Sequence, residues 1–214
     1  MTPTAAERGQ ETRTRLLDAA ARLIVEEGWG AVTTRKVADR AGLRPGLVHY
    51  HFHTVTDLLI DASLESARRE VRGALEAVRS TGAAAGLDLL LEAVAEYSPE
   101  DPGTILFTEM LLAARRHERL RAGMAELLRE WRTAVADWLR AAGRCPDPEA
   151  TAVLLGAALD SLVLHRMIDP ELVGVPVSGP LRRLVDASAP TPTPSAGPPE
   201  SPAAPTGPPG GGGG

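Results

Sequence analysis

An all-α protein is predicted: an N-terminal three-helix unit built on a helix-turn-helix, followed by a larger helical bundle, about nine helices in all. Three observations carry this. Apolar residues recur at three- and four-residue spacing along most of the chain, with no alternating strand pattern. Glycine and proline clusters divide those periodic stretches at intervals suited to helices. Aromatic residues make up only 3% of the 214 residues, and alanine and leucine dominate. The expected boundaries are a disordered segment over 1–9, the helix-turn-helix unit over 10–54, a second helical domain over 55–187 and a disordered Pro/Gly-rich tail over 188–214.

The first helix is expected from Gln10 to Gly28, with Leu16, Leu17, Ala20, Leu23 and Ile24 along one face. Trp29 follows the closing glycine and reads as core packing. The next stretch, TTRKVADRAGLRPGLVHYHF over Thr33–Phe52, holds two short helical halves around a glycine. Thr33 is placed to cap the first half, since a hydroxyl can accept an orphan first-turn N–H. Val37, Ala38 and Ala41 share its apolar face. Gly42 stops it in the left-handed conformation that costs glycine no strain. Pro45 opens the second half, where its missing N–H would be unpaired anyway. Two helices joined by a short glycine-containing turn place the second helix in a DNA major groove.

Thr54 with Asp57 three residues later reads as a capping box opening a long helix to about Arg79, roughly 37 Å at about 1.5 Å per residue. Ser80-Thr81-Gly82 breaks it. Helices are then expected near Ala84–Tyr97, Pro102–Arg116, Arg119–Ala142, Pro148–Ile168 and Leu181–Ala187, between Pro and Gly breakers. The last stretch is Pro, Ala, Ser, Thr and Gly, too poor in apolar surface to offset the entropy of ordering.

Net charge is -5, which argues against coating nucleic acid by bulk charge. Through Thr54 there are eight basic and six acidic residues, so that end is about +2 and the remainder about -7. Cys145 is the sole cysteine, so no intrachain disulfide forms. The N-terminus lacks the apolar run of a signal peptide, no stretch has the length of a membrane span, and a cytoplasmic protein is expected. His49, His51 and His53 have no carboxylate or cysteine converging on them in sequence, so neither a metal site nor a cofactor is expected. No catalytic constellation is present, and an enzyme is not expected.

The run TTRKVA, then AGL, PG and YHF, resembles the DNA-binding segment of the TetR family of bacterial transcriptional regulators, over roughly the first quarter of the chain. The resemblance implies a homodimer on an inverted-repeat operator of double-stranded DNA, released by a small-molecule effector, with repression more usual than activation. It implies DNA contacts from Thr34, Arg35, Arg44, Pro45, Gly46, Leu47, His49, Tyr50 and His51. Arg35 stands where family members reach a base edge. Tyr50 and His51 stand where they bond phosphate. Three departures matter: Arg44 replaces a common Ser or Thr cap, His49 replaces a usual tyrosine, and Val55 stands where a phosphate-contacting lysine is frequent.

In the second domain, aromatic, sulfur and polar side chains on apolar helices suggest an effector pocket from Tyr97, Phe107, Glu109, Met110, Trp131, Asp160 and His165. Asp160 interrupts the apolar run Val153–Leu164 and needs a partner if buried. Pro148–Ile168 resembles the family's dimerisation helices, with Leu155, Gly156, Leu159, Leu162 and Val163 as the interface. The alternative is a helical module acting through a protein partner, or a regulator without an effector.

Overall fold

The computed structural model describes residues 4–80, 89, 98–143 and 145–187. Among the described residues the chain forms eight α-helices and two short 3-10 helices, with no strand. They are α1 (Ala5–Glu27), α2 (Thr34–Ala41), α3 (Pro45–His51), α4 (Val55–Ser80), α5 (Pro102–Ala114), α6 (Glu118–Ala142), α7 (Pro148–Ile168) and α8 (Ser178–Ala187). The expected helix over 84–97 and the tail lie outside the described residues.

Helix α1 starts earlier than its apolar stripe suggests, so the disordered segment expected over 1–9 is helical from Ala5. The cause is local. Thr4 Oγ1 accepts from Glu7 N–H at 3.2 Å, and Glu7 Oε2 accepts from Thr4 N–H at 2.5 Å, a complete capping box ahead of the apolar stripe that begins at Leu16. At the other end the backbone turns at Gly28, φ 83°, into a single 3-10 turn, Trp29–Ala31.

Helix α2 is capped as expected, with Thr33 Oγ1 accepting from Lys36 N–H at 3.3 Å. Gly42 sits at φ 64°, and Leu43 N–H reaches back to Ala38 C=O at 2.9 Å, which closes the helix end. Pro45 opens α3. The α4 cap is half of the expected box. Thr54 Oγ1 accepts from Asp57 N–H at 3.0 Å, but its own hydroxyl then donates to the Asp57 carboxylate at 2.7 Å. Aspartate is one methylene shorter than the glutamate usual there.

Leu16, Leu17, Ala20, Leu23 and Ile24 of α1 are buried against Val37, Ala38, Val48 and Phe52. The same apolar cluster continues without a break through Leu58, Leu59 and Leu64 of α4 to Leu106 and Met110 of α5 and Leu120, Met124 and Leu127 of α6. The helix-turn-helix unit therefore shares its core with the second domain. Gly123 permits the close α4–α6 crossing: a Cβ there would lie 2.5 Å from Leu64 Cδ1. A smaller cluster joins Val135, Ala136 and Leu139 of α6, Ala152 and Leu155 of α7, and Val185 of α8. Asp61 of α4 receives Arg13 of α1 at 2.7 Å and Arg119 of α6 from the other side, an ion-pair chain across three helices.

Candidate nucleic-acid interface and ligand cavity

Helix α3 is anchored by Val48 and Phe52, both buried. Its other side chains divide as helical spacing requires. Arg44, Pro45, Gly46, Leu47, His49 and Tyr50 are exposed, and His51 is half-buried. Tyr50 is 80% exposed, its ring edge-on to His51 at 5.0 Å. Arg44 occupies the N-cap position of α3 without a side-chain cap bond. Beside it the first turn of α2 presents Thr34, half-buried, and Arg35, exposed. The Arg35 side chain is 87% exposed and only 3.8 Å from Asp39, a surface pair too weak to hold it against a better partner.

Much of the remaining basic charge is engaged within the fold. Lys36 Nζ bonds Glu27 at 2.6 Å and Ala31 C=O at 3.0 Å. Arg40 makes a forked pair with Glu26, at 2.8 and 2.5 Å, which raises its own pKa and lowers that of Glu26. Arg15 caps α2 through Ala41 C=O at 2.5 Å. Arg13 lies 5.3 Å over the Phe52 ring while it pairs with Asp61. Four of the eight cations of this end, Arg13, Arg15, Lys36 and Arg40, thus hold the fold together, while Arg35 and Arg44 stand exposed beside the outer face of α3. With few phosphate contacts, DNA affinity should depend only modestly on salt, and Arg44→Ala should lower the slope of log K against log[salt] by about one unit. A salt titration of wild type and variant measures this. An unchanged slope would take Arg44 off the phosphate backbone.

A second feature lies in the other domain: a cavity of about 250 Å³ between α4, α5, α6 and α7. Its walls include Phe107, Met110, Trp131 and Asp160, four of the residues assigned from sequence to an effector pocket. Glu109 and His165 are not among its lining residues, and Tyr97 lies outside the described residues. Gly156, Leu159 and Val163, assigned from sequence to a dimer face, line the cavity instead. Leu155 is fully buried against α6 and α8, and Leu162 is half-buried. Gly156 seats the Trp131 indole: a Cβ there would come within 2.9 Å of Trp131 Cζ3.

Two lining residues with polar side chains, Thr104 and Glu70, were not among those assigned from sequence. Thr104 is buried, and its Oγ1 has no hydrogen-bond partner. Glu70 extends from α4 over Gly103, where a Cβ would meet its carboxylate at 2.7 Å. Its spacing from Ala67, Val71 and Ala74, on the apolar side of α4, was the available signal.

Burial pushes the Asp160 carboxyl above its usual range. Burial also raises Glu70; Arg69 opposes that shift and Asp101 adds to it. For Asp160 the native chain holds its proton to higher pH than the unfolded chain, so its contribution to stability falls as pH rises through that window. Asp160→Asn is expected to raise Tm at pH 7, with no gain near the ordinary aspartate pKa of 3.8, in thermal melts run across pH.

Helix α5 also faces the first domain. Glu109 Oε2 accepts from Trp29 N–H at 2.7 Å, beside the Gly28 turn, and the Trp29 ring stacks on His117 at 6.0 Å. Glu109 is thus the joint between α5 and the end of α1. Trp29, read from sequence as core packing, is half-buried at that joint.

The description "Bacterial regulatory proteins, tetR family" matches residues 16–62, and "Tetracyclin repressor-like, C-terminal domain" matches residues 81–190, half of the chain. The chain is 29% identical over 175 residues to the HTH-type transcriptional regulator BetI of Rhizobium meliloti, spanning 78% of this chain and 83% of that protein. A putative TetR-family transcriptional regulator from Rhodococcus sp. has the same fold with a TM-score of 0.68 at 26% identity, covering 82% of this chain and 99% of that one. A putative transcriptional regulator from Saccharomonospora viridis, solved in complex with choline, shares the fold with a TM-score of 0.65 at 22% identity, over 83% of this chain and 95% of that one.

Proposed function

The chain belongs to the TetR family of transcriptional regulators, and from that premise we propose that it is a repressor that binds an inverted-repeat operator as a homodimer and releases it when a small molecule enters the α4–α7 cavity. The observation that carries this is the surface of α3. Val48 and Phe52 fix the helix, while Arg44, Leu47 and Tyr50, with Arg35 at the adjoining start of α2, face solvent. An arginine fork suits the O6 and N7 of guanine, Leu47 a thymine methyl, and Tyr50 and Thr34 phosphate oxygens.

The dimer reading rests on a different face of α7 from the one the sequence suggested. With Leu155 buried and Gly156, Leu159, Val163 and Leu164 on the cavity, the outward side carries Val153, Leu154, Ala157 and Ile168. Contrary to the expectation that no stretch has the length of a membrane span, α7 is by length and composition apolar enough to cross one. Its inner face packs on α6 and lines the cavity, so a second copy is the fitting cover for the outer one. Two recognition helices of such a dimer would enter successive major grooves, about 34–36 Å apart.

The effector reading rests on α5, which lines the cavity with Thr104, Phe107 and Met110 and holds Trp29 through Glu109. A ligand that favours one placement of α5 biases the placement of α1, and with it the DNA-competent population, by its differential affinity for the two states. The choline complex of the Saccharomonospora protein supports a ligand-taking role for this fold.

The test is selection of fragments from the source genome by the purified chain, beside Arg35→Ala and Tyr50→Ala. Enrichment of a short inverted repeat by wild type, weakened by about 1–3 kcal/mol in the Arg35 variant, supports the reading. No enrichment at low salt would turn the account towards a module that acts through a protein partner.

A further inference from the structure

The α4–α7 cavity has an unusual balance of polar groups. Its walls are apolar, with Phe107, Met110, Trp131 and Leu159 among them. Among the described residues, its charged groups are Glu70 and Asp160, both acidic, and no lysine, arginine or histidine lines it. Neither carboxylate has a hydrogen bond or ion pair to a described residue; the neighbouring cation, Arg69, is held by Asp18 at 2.8 Å. One neutral polar atom, Thr104 Oγ1, is buried at the same wall and is likewise unpaired. Glu70 is exposed to water at the cavity edge, but half-buried Asp160 and the buried Thr104 hydroxyl are withdrawn from it, and two unpaired polar groups on one apolar space are an arrangement that a ligand completes.

Taking the cavity as the effector site, we propose that its ligand is an apolar organic cation, with a tertiary or quaternary nitrogen set between Asp160 and the Trp131 face and a hydrophobic body against Phe107 and Met110. Each class of ligand fares differently here. An anion would meet two like charges with no cation to offset them. A neutral apolar molecule would fill the walls but strip water from Asp160 without replacing it. A cation with a low hydration cost neutralises the carboxylate and gains from an indole face, which Gly156 holds in place. The raised carboxyl pKa values agree, since they mark groups that burial has disfavoured as anions and that a bound cation would return to ordinary ionisation. Thr104 can accept from or donate to a polar atom on the ligand body.

The experiment is calorimetric titration of the full chain at pH 7.5 with three probes of similar size: 1-naphthylmethyl-trimethylammonium, the neutral 1-naphthaleneethanol and the anion 1-naphthaleneacetate. The cation is expected to bind about tenfold or more tightly than either of the others. Asp160→Asn should weaken the cation by about tenfold and leave the neutral probe within about threefold. Glu70→Gln should weaken the cation less, because Glu70 is the more exposed of the two. Gly156→Val, which fills the space beside Trp131, should abolish binding.

Equal or tighter binding of the neutral or anionic probe, no binding of the cation, or cation affinity unchanged in both carboxylate variants or in Gly156→Val would overturn the proposal. DNA release is measured separately by anisotropy on the selected fragment. A neutral compound that binds the cavity and releases DNA removes the cation and keeps the effector site. A cation that binds there without affecting DNA removes the effector reading and keeps the ligand class.

Discussion

A chain carrying Leu154→Glu and Ile168→Glu is expected to be monomeric and to bind its operator about 100-fold more weakly than wild type. Leu154 is 55% exposed and Ile168 83%, both on the outer side of α7, whose opposite face already packs on α6 and the cavity. Covering that outer stripe with a second copy removes apolar surface from water, and two carboxylates on each copy would have to be desolvated without partners. The fold should tolerate the changes, because neither side chain is in the core and exposed substitutions shift stability little. DNA affinity then drops because linked half-site binding contributes an effective-concentration advantage of about 10²–10⁴. Sedimentation velocity and an anisotropy titration read the two effects together. A variant that stays dimeric would move the interface away from this face of α7.

The second large effect concerns Glu109. Glu109→Ala is expected to leave DNA affinity without ligand within about threefold and to reduce ligand-driven release about tenfold, a coupling change of about 1.4 kcal/mol. The carboxylate receives Trp29 N–H at 2.7 Å, a charge-assisted bond between the cavity-lining helix and the end of α1. Removing it leaves α3 and its anchors intact but frees α5 to move without carrying α1. Coupling is reciprocal, so DNA should weaken ligand binding in the wild type and do so about tenfold less in the variant. Undiminished coupling would place the transmission elsewhere, with the Arg13–Asp61–Arg119 chain as the next route to test.

The helix-turn-helix unit was legible because local rules and packing agree there. Thr33, Gly42 and Pro45 each act within one turn of their own position, and period-3.6 spacing separates the Val48 and Phe52 anchors from the exposed Arg44, Leu47 and Tyr50. The start of α1 was legible too, in Thr4-x-x-Glu7, but an apolar-stripe criterion passes over a capping box that precedes the stripe. Helix α7 resisted for a different reason. It is apolar nearly all round, so spacing alone cannot say which apolar side faces the cavity and which faces out. Gly156, Leu159 and Val163 were therefore assigned to a dimer face although they line the cavity, whereas Asp160 stood out as a charge inside an apolar run. Glu70 follows two arginines in sequence, so that only its helical spacing from Ala67 and Ala74 marks it, and Thr104 lies in a proline-started first turn that invites no notice. The Glu109–Trp29 bond spans 80 residues and leaves no local trace.

The central claim, that two copies of α3 read adjacent grooves on one face of DNA, is tested most directly by hydroxyl-radical footprinting of the wild-type chain on its selected fragment. The account predicts two protected half-sites in inverted orientation, centred about one helical turn or a multiple of it apart, with protection lost in Tyr50→Ala. A single protected site, or uniform protection without preferred sequence, would contradict it.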